Sequence, residues 1–425
     1  MKKQLALLVC VLLSRILYSQ AVPMALEEWR TTNGTQDFYY KSSTKTDAFG
    51  NIIVAGATMN GGTTDILVAK YNSGGNQLWI KQFAGTATNG VDFAGGLFVT
   101  DTYIYLTGAI TNNSVVPETD CVTMKLASST GSVVWSTTYD GAGNYHDMGK
   151  HVVVDGSGNV FVSGGTYNAS LNTDFLCLKY NSSGTQQWVN TWDYLGFDDA
   201  STKIAISGAN LNVTGAVTTA TASAYKVSVL SLSQSTGSLL ATSIGTAVTT
   251  TSVDVVMDFA ADGSGNVIVV GSNTIGGQGN NFYVQKLSNT LGSTWTFTYN
   301  GSSSLDDVAK AVDIDASGNV YIAGYSTSST LGKELTLIKL NSSGVQQWVQ
   351  TSGFSGNDEA NDMILDASGY IYITGYKTSS TQDYYTAKYD GSGTIIWETE
   401  MAGLMTDYAT NIALDSLNNV IVTGQ

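Results

Sequence analysis

Proline is nearly absent from this chain of 425 residues: there are 2, against 46 glycines. Its turns must therefore be built from glycine and short polar residues. Cysteine is also scarce, at 3, which excludes a disulfide-stapled scaffold of this size. Charged residues make up only 12%, and the formal charge is −15. Without clustered Lys and Arg, a nucleic-acid backbone is not an expected partner, and an anionic membrane surface is disfavoured. There are 2 histidines. No GxSxG, HExxH, P-loop or CxxC motif occurs. What is present is Thr, Val, Ile and Tyr, the residues that suit strands.

The start of the chain reads as a secretory signal. Lys2 and Lys3 precede the apolar run "LALLVCVLL" (Leu5 to Leu13), which is too short to span a bilayer. "SQA" (Ser19 to Ala21) supplies the small residues of a cleavage site. Residues 1–21 are expected to be a signal peptide and 22–425 a single exported domain, secreted or on the outer cell surface. No membrane insertion of the mature chain is expected. Cys10 follows Val9, which does not suit a lipid anchor. The remaining Cys121 and Cys177 each sit in an apolar strand-like run and are expected as buried free thiols.

A repeat dominates the rest. Gly56, Gly108, Gly164, Gly215, Gly271, Gly324, Gly375 and Gly424 each close a similar stretch, at steps of 52, 56, 51, 56, 53, 51 and 49. Each period holds four short runs, such as "DDVAKAVDI", "NVYIAG", "ELTLIKL" and "VQQWVQT" (Asp306 to Thr351). Four antiparallel strands per repeat make a propeller blade, and blades bury their faces only by stacking into a ring. The fold class is therefore all-β, a β-propeller of four-stranded antiparallel blades. "DASGN" (Asp315 to Asn319) joins the first and second runs; "NSSGVQQW" (Asn341 to Trp348) joins the third and fourth. Both read as tight hairpins, with Asp or Asn accepting backbone N–H groups and Gly taking φ > 0. They share one face of the ring. The connections that vary in length share the other, where loops on a rigid scaffold carry binding.

The stretch "GNVYIAGYST…ELTLIKLNSSGVQQW" resembles the SBBP repeat, a propeller repeat of secreted bacterial proteins, many from Bacteroidota. The resemblance runs from about Trp29 to Gly424 and is weakest in the fourth repeat, where Ser231 replaces the usual Lys. It implies a propeller fold and export, and no shared catalytic site. "EEWRTTNGTQDF" (Glu27 to Phe38) matches a fourth strand and the start of a first. Seven full repeats follow, and the chain then adds a first and second strand. Eight blades are expected, the last split between the termini, with its third strand missing and the C-terminus incomplete; seven blades with spare ends is the alternative.

Several residues qualify as functional. Asp92, Asp147, Asp198, Asp306, Asp358 and Asp407 recur at the start of first strands. They either form an acidic rim for a cation or cationic ligand, or cap local turns. A Lys recurs in third strands (Lys70, Lys125, Lys179, Lys286, Lys339, Lys388), five residues after an acid or Asn, and is expected to bridge to a neighbouring blade. The Trp series Trp29, Trp79, Trp135, Trp188, Trp295, Trp348 and Trp397 reads as packing between blades. Trp192 falls off that register beside Tyr194, in what reads as a variable loop, so both are ligand-contact candidates. His146 and His151 are the only metal-ligand candidates. No cofactor is expected; Ca²⁺ stays open, but "DASGN" carries one acid per turn and is no dedicated calcium loop. The hairpins "LASSTGSVVW" and "SLSQSTGSLL" resemble turns of quinoprotein dehydrogenase propellers, which carry a quinone, Ca²⁺ and often a vicinal disulfide; no Cys-Cys pair occurs here. The expected function is binding or adhesion toward an extracellular protein or carbohydrate, without catalysis. A quinoprotein-like or polysaccharide-active enzyme with an axial site is the alternative.

Overall fold

The computed structural model describes residues 8–13, 26–32 and 43–424, apart from 61, 88–89, 113–117, 143–144, 220–224, 246–253, 276–277, 355 and 403–405. The described strands form eight four-stranded antiparallel sheets. Seven are continuous in sequence: Ser43–Phe83, Phe93–Tyr139, Asp147–Trp192, Asp199–Ile244, Val255–Tyr299, Val308–Thr351 and Glu359–Met401. We number these blades one to seven. Blade eight combines Ala409–Leu414 and Val420–Gly424 with Leu8–Leu13 and Leu26–Thr32. The seven-bladed alternative is thereby excluded. The third-strand place of blade eight is taken by Leu8–Leu13, inside the segment read as a leader, which pairs with both Val420–Gly424 and Leu26–Thr32.

First strands contact one another in cyclic order, and Ala409–Leu414 packs on Ser43–Thr46 to close the ring. They therefore surround the axis. Second and third strands are buried on both faces between blades, which explains their near-continuous apolar runs: Val160–Tyr167 and Thr173–Tyr180 expose almost nothing. Fourth strands form the outer wall and alternate, as in Gln186–Trp192. Each core cluster spans neighbouring blades; Ile53, Val68, Leu106 and Val122, for example, join blades one and two. Cys121 and Cys177 are both buried and free. Burial pushes each thiol up to about 12.

The hairpin turns behave as their residues dictate. In the first-to-second turns, Asp155 Oδ1 accepts the N–H groups of Ser157 and Asn159 at 2.9 and 2.8 Å, and Oδ2 accepts Asn159 Nδ2 at 2.7 Å. Asp47, Asp262, Asp315 and Asp415 repeat this arrangement. In the third-to-fourth turns, a glycine at positive φ lies flat on the tryptophan of the preceding blade. A Cβ at Gly237 (φ 70) would meet the Trp188 ring at 2.6 Å.

The Trp and Lys series act together across that joint. Trp188 Nε1 and Lys179 Nζ both donate to Gln234 O of the next blade, at 3.1 and 2.9 Å. Trp79 with Lys70 holds Ser128 O, Trp135 with Lys125 holds Ser182 O, and Trp348 with Lys339 holds Gly391 O. The expected bridge between blades is thus a pair of donors converging on one turn carbonyl.

Candidate functional site

Each first strand from blade two to blade eight slips by one residue against its second strand. The slip always falls opposite the repeated glycine or just past it, as between Ala309 and Ala311 and between Ala360 and Asp362. The glycine makes this β-bulge fit. A Cβ at Gly324 would lie 2.0 Å from Val308 O, and one at Gly375 1.9 Å from Glu359 O. The residue left unpaired in each bulge is Gly95, Lys150, Thr202, Met257, Lys310, Asn361 or Thr410.

Four of these, Met257, Lys310, Asn361 and Thr410, line a cavity of about 490 Å³ together with Glu359, Tyr376, Gln382 and Tyr408. The lining residues lie at the starts of first strands, the end of a second and the start of a third, which places the cavity at the axis on the variable-loop face. Its centre is Glu359, nearly fully buried. One carboxylate oxygen pairs with Lys310 and the other with Lys333. Lys310 Nζ also donates to Asn361 Oδ1 at 2.8 Å, and Asn361 Nδ2 donates to Ala409 O of blade eight at 2.8 Å. Burial alone would raise the Glu359 pKa; the two lysines and the Tyr376 hydroxyl outweigh it and hold the carboxyl below its usual value. Tyr376 and Tyr408 meet edge to face at 6.4 Å.

Deeper along the axis, the residue after the bulge clasps the next blade in blades three, four, five and seven, whereas Gly96 and Ala311 stand there in blades two and six. His151 Nδ1 accepts Ile204 N–H at 3.5 Å, Asp258 Oδ2 accepts Val312 N–H at 3.1 Å, and Asp362 Oδ2 accepts Ile412 N–H at 2.9 Å. Lys203 pairs with Asp258. Burial, with Lys203 and Lys45 nearby, drives the His151 pKa down to about 3, so its imidazole is a neutral acceptor. The variety at this position (His, Lys, Asp) is variety in one structural task.

The sequence-predicted residues do not converge on this cavity. Asp92, Asp147 and Asp358 are buried at the roots of their loops and accept backbone N–H groups, Asp92 from Gly85 and Thr111 at 2.7 and 2.6 Å. In blades four and six the equivalent buried carboxylates are Asp199 and Asp307, each one residue past the expected position. Asp198 and Asp306 are exposed instead and accept Thr173 N–H and Asn280 N–H of the preceding blade, each at 2.9 Å. The backbone N–H of Asp407 donates to Gln382 O. These aspartates thus act at separate loops, as caps and as ties between blades. Burial raises the pKa of Asp92, Asp147 and Asp358, and takes Asp199 to about 7.

Trp192 is the last residue of a fourth strand rather than part of a loop. It stacks on Tyr194 at 6.0 Å and meets Phe175 edge-on at 5.4 Å, so both candidates are half-buried packing residues of the variable-loop rim. His146 and His151 face opposite neighbours: His146 contacts Thr119 of blade two, and His151 contacts Ile204 of blade four. Among the described residues no group of three or more His, Cys, Asp or Glu is placed to hold a metal ion. Nor is any described helix long and apolar enough to cross a membrane.

No family model matches the chain, and no curated protein matches it. Solved structures do. The quinohemoprotein alcohol dehydrogenase of Comamonas testosteroni aligns over 92% of this chain and 76% of its own, at 11% identity and a TM-score of 0.53. Sqt1 from Chaetomium thermophilum aligns over 89% and 94%, at 8% identity and a TM-score of 0.52. BamB from Moraxella catarrhalis aligns over 88% and 91%, at 14% identity and a TM-score of 0.47. At these identities the likeness is one of fold: the chain is an eight-bladed β-propeller distantly similar to several others.

Proposed function

We propose that this propeller is an exported binding or adhesion module of the SBBP-repeat type, which takes its ligand at the axial mouth on the variable-loop face and does no chemistry there. The observation that carries the reading is the cavity in which the bulge residues of blades five to eight meet two tyrosines and a paired carboxylate. At about 490 Å³ it suits a small polar ligand such as one or two sugar units or a peptide side chain. Tyrosine faces with Gln382, Asn361 and a Lys–Glu pair offer stacking together with hydrogen bonds of both senses. Its one carboxylate, Glu359, is shared between two lysines, so it is poorly placed to accept a proton from a substrate. That observation favours binding over the quinoprotein-like alternative.

Export follows from the leader reading of residues 1–21, which N-terminal sequencing of the protein from its source would check. Binding is tested on a glycan and peptide array, with Tyr408→Ala and Lys310→Met as paired variants. The expected result is a hit that both variants weaken at least tenfold while the fold stays intact. Turnover of an alcohol or polysaccharide by the purified chain, with no array hit, would overturn the reading.

A further inference from the structure

Blade four departs from its neighbours at its joint with blade five. In six blades a third-strand lysine stands opposite a fourth-strand tryptophan, as Lys179 stands opposite Trp188. Blade four puts Ser231 opposite Ala241. On its other side, each of those lysines is paired with an isoleucine or an aromatic residue of the second strand, as Lys179 is with Phe161. In blade four that partner is Asn212, opposite Ser231. Cross-strand partners share a face of the sheet. Asn212 and Ser231 therefore point to the place where other blades lodge an apolar side chain and an ammonium.

Only half of the resulting gap is refilled. Leu291 stands five residues past Lys286, as Gly184 stands past Lys179, and it keeps the positive φ, 62 against 85. Gly184 lies on Trp135 of the preceding blade; Leu291 is buried in the core against which Ala241 packs. A leucine from blade five thus takes the place of the absent tryptophan. Nothing takes the place of the lysine. Asn212 and Ser231 are buried, and among the described residues neither Asn212 Oδ1 nor Ser231 Oγ has a hydrogen-bond partner. Lys125 and Lys179 each donate to the carbonyl of the third residue past the next blade's own lysine position, Ser182 O and Gln234 O. The corresponding carbonyl at this joint is Asn289 O, and Ser231 and Ala241 stand where its two donors would be.

Asn289 lines a cleft of about 380 Å³ between the turns of blades four and five, with Ser207, Asn210, Ser264 and Thr290. The matching cleft one joint further on, of about 520 Å³, is lined by Lys286. Both lie on the tight-turn face, away from the axial cavity. We propose that the cleft between blades four and five binds a primary ammonium group, the free counterpart of the missing lysine, brought by a small amine or by a lysine side chain of a partner. An ammonium has three N–H donors. Asn289 O, Asn212 Oδ1 and Ser231 Oγ are the acceptors that the joint leaves for them. No acid is needed, since Lys125 and Lys179 are held by a carbonyl and an aromatic face. The lining of the cleft carries no charged side chain to compete for the place, and the chain's formal charge of −15 draws cations toward it.

The test titrates the full chain with butylammonium and, in parallel, with the end-blocked peptide GGKGG. The readout is the NMR signals of the Asn212 side-chain amide and of the Asn289 and Thr290 backbone amides. Saturable shifts of these signals are expected. Peptide binding at least tenfold tighter than butylammonium assigns the site to a partner's lysine; binding no tighter assigns it to a free amine. Ser231→Lys should supply the ammonium from within, raise Tm and abolish both responses, and six blades already accept lysine at this position. Asn212→Leu should weaken binding at least fivefold, and it supplies the answer if Ser231→Lys does not fold. Tetramethylammonium has no N–H and should leave the signals unmoved. An equal response to tetramethylammonium or to K⁺ overturns the proposal, as does a response that survives both substitutions, or no saturable shift with either amine.

Discussion

The two faces of the ring use aspartate in opposite ways. On the tight-turn face, Asp47, Asp262 and Asp315 lie in Asx turns, where burial is outweighed by Asn side chains and backbone N–H groups, and the carboxyls are held low. On the variable-loop face, Asp92, Asp147, Asp199, Asp254, Asp307 and Asp358 also accept backbone N–H groups, but burial wins and they are raised, Asp254 to about 6 and Asp199 to about 7. The first face is set for permanent charge and a fixed shape. The second carries carboxylates whose charge burial disfavours, beneath the loops that differ from blade to blade. Uniform turns hold the ring together; variable loops are placed where ligand chemistry can change.

The comparison breaks most sharply at a joint between blades. Trp188→Ala removes the plate under Gly237 and the donor to Gln234 O, and should cost ~3 kcal/mol in urea unfolding. Gly375→Ala should cost ~2 kcal/mol or more, because its Cβ meets Glu359 O and the bulge must shift; it should also weaken ligand binding, which Trp188→Ala leaves nearly unchanged. Trp188→Phe, which keeps the plate and loses only the N–H, should cost ~1 kcal/mol.

Smaller effects appear in the dependence of stability on pH. Asp199 has a folded pKa raised above its unfolded value, so the folded state binds more protons between about pH 4 and 7, and stability drains away as pH rises through that window. Asp199→Asn should therefore make the stability–pH slope more positive there. His151 is lowered, so its contribution is present above about pH 6.5 and lost as pH falls toward 3. His151→Gln should make the slope less positive below about pH 6.5. Urea midpoints across that range read both; unchanged slopes would show that neither burial shifts the titration of its group in the folded ring.

Much of the tight-turn face was legible in the sequence, because its residues answer local demands. "DASGN" states its own hydrogen bonds, and a tryptophan after the third-to-fourth turn, present in every blade but the fourth, announces a joint. The variable-loop face was less legible. In the doublets Asp198–Asp199 and Asp306–Asp307, neighbouring side chains leave the strand on opposite sides, and pattern alone does not say which one turns inward. Asp254 opens blade five, the one repeat between the second and the eighth that gives no member to the predicted aspartate series. Lys310, Glu359 and Tyr408 come from three blades and meet only after closure of the ring, which no single repeat records. One signal was available: a glycine in mid-strand marks a bulge, and a bulge marks a side chain turned out of the ladder. The repeated glycines were there to be counted as bulges as well as blades.

That glycine has a further consequence for how such rings diversify. The residue it displaces from the ladder answers to no cross-strand partner, so it can be exchanged with little penalty to the sheet. Lys150, Thr202, Met257, Lys310, Asn361 and Thr410 are six such positions, and they already differ in size, charge and polarity; the seventh, Gly95, is held as glycine, because a Cβ there would meet Gly149 O at 2.1 Å. The scaffold thus separates what must be inherited from what is free to drift. A handful of point mutations around one circle would rewrite the chemistry of the pore while the rest of the gene stood still.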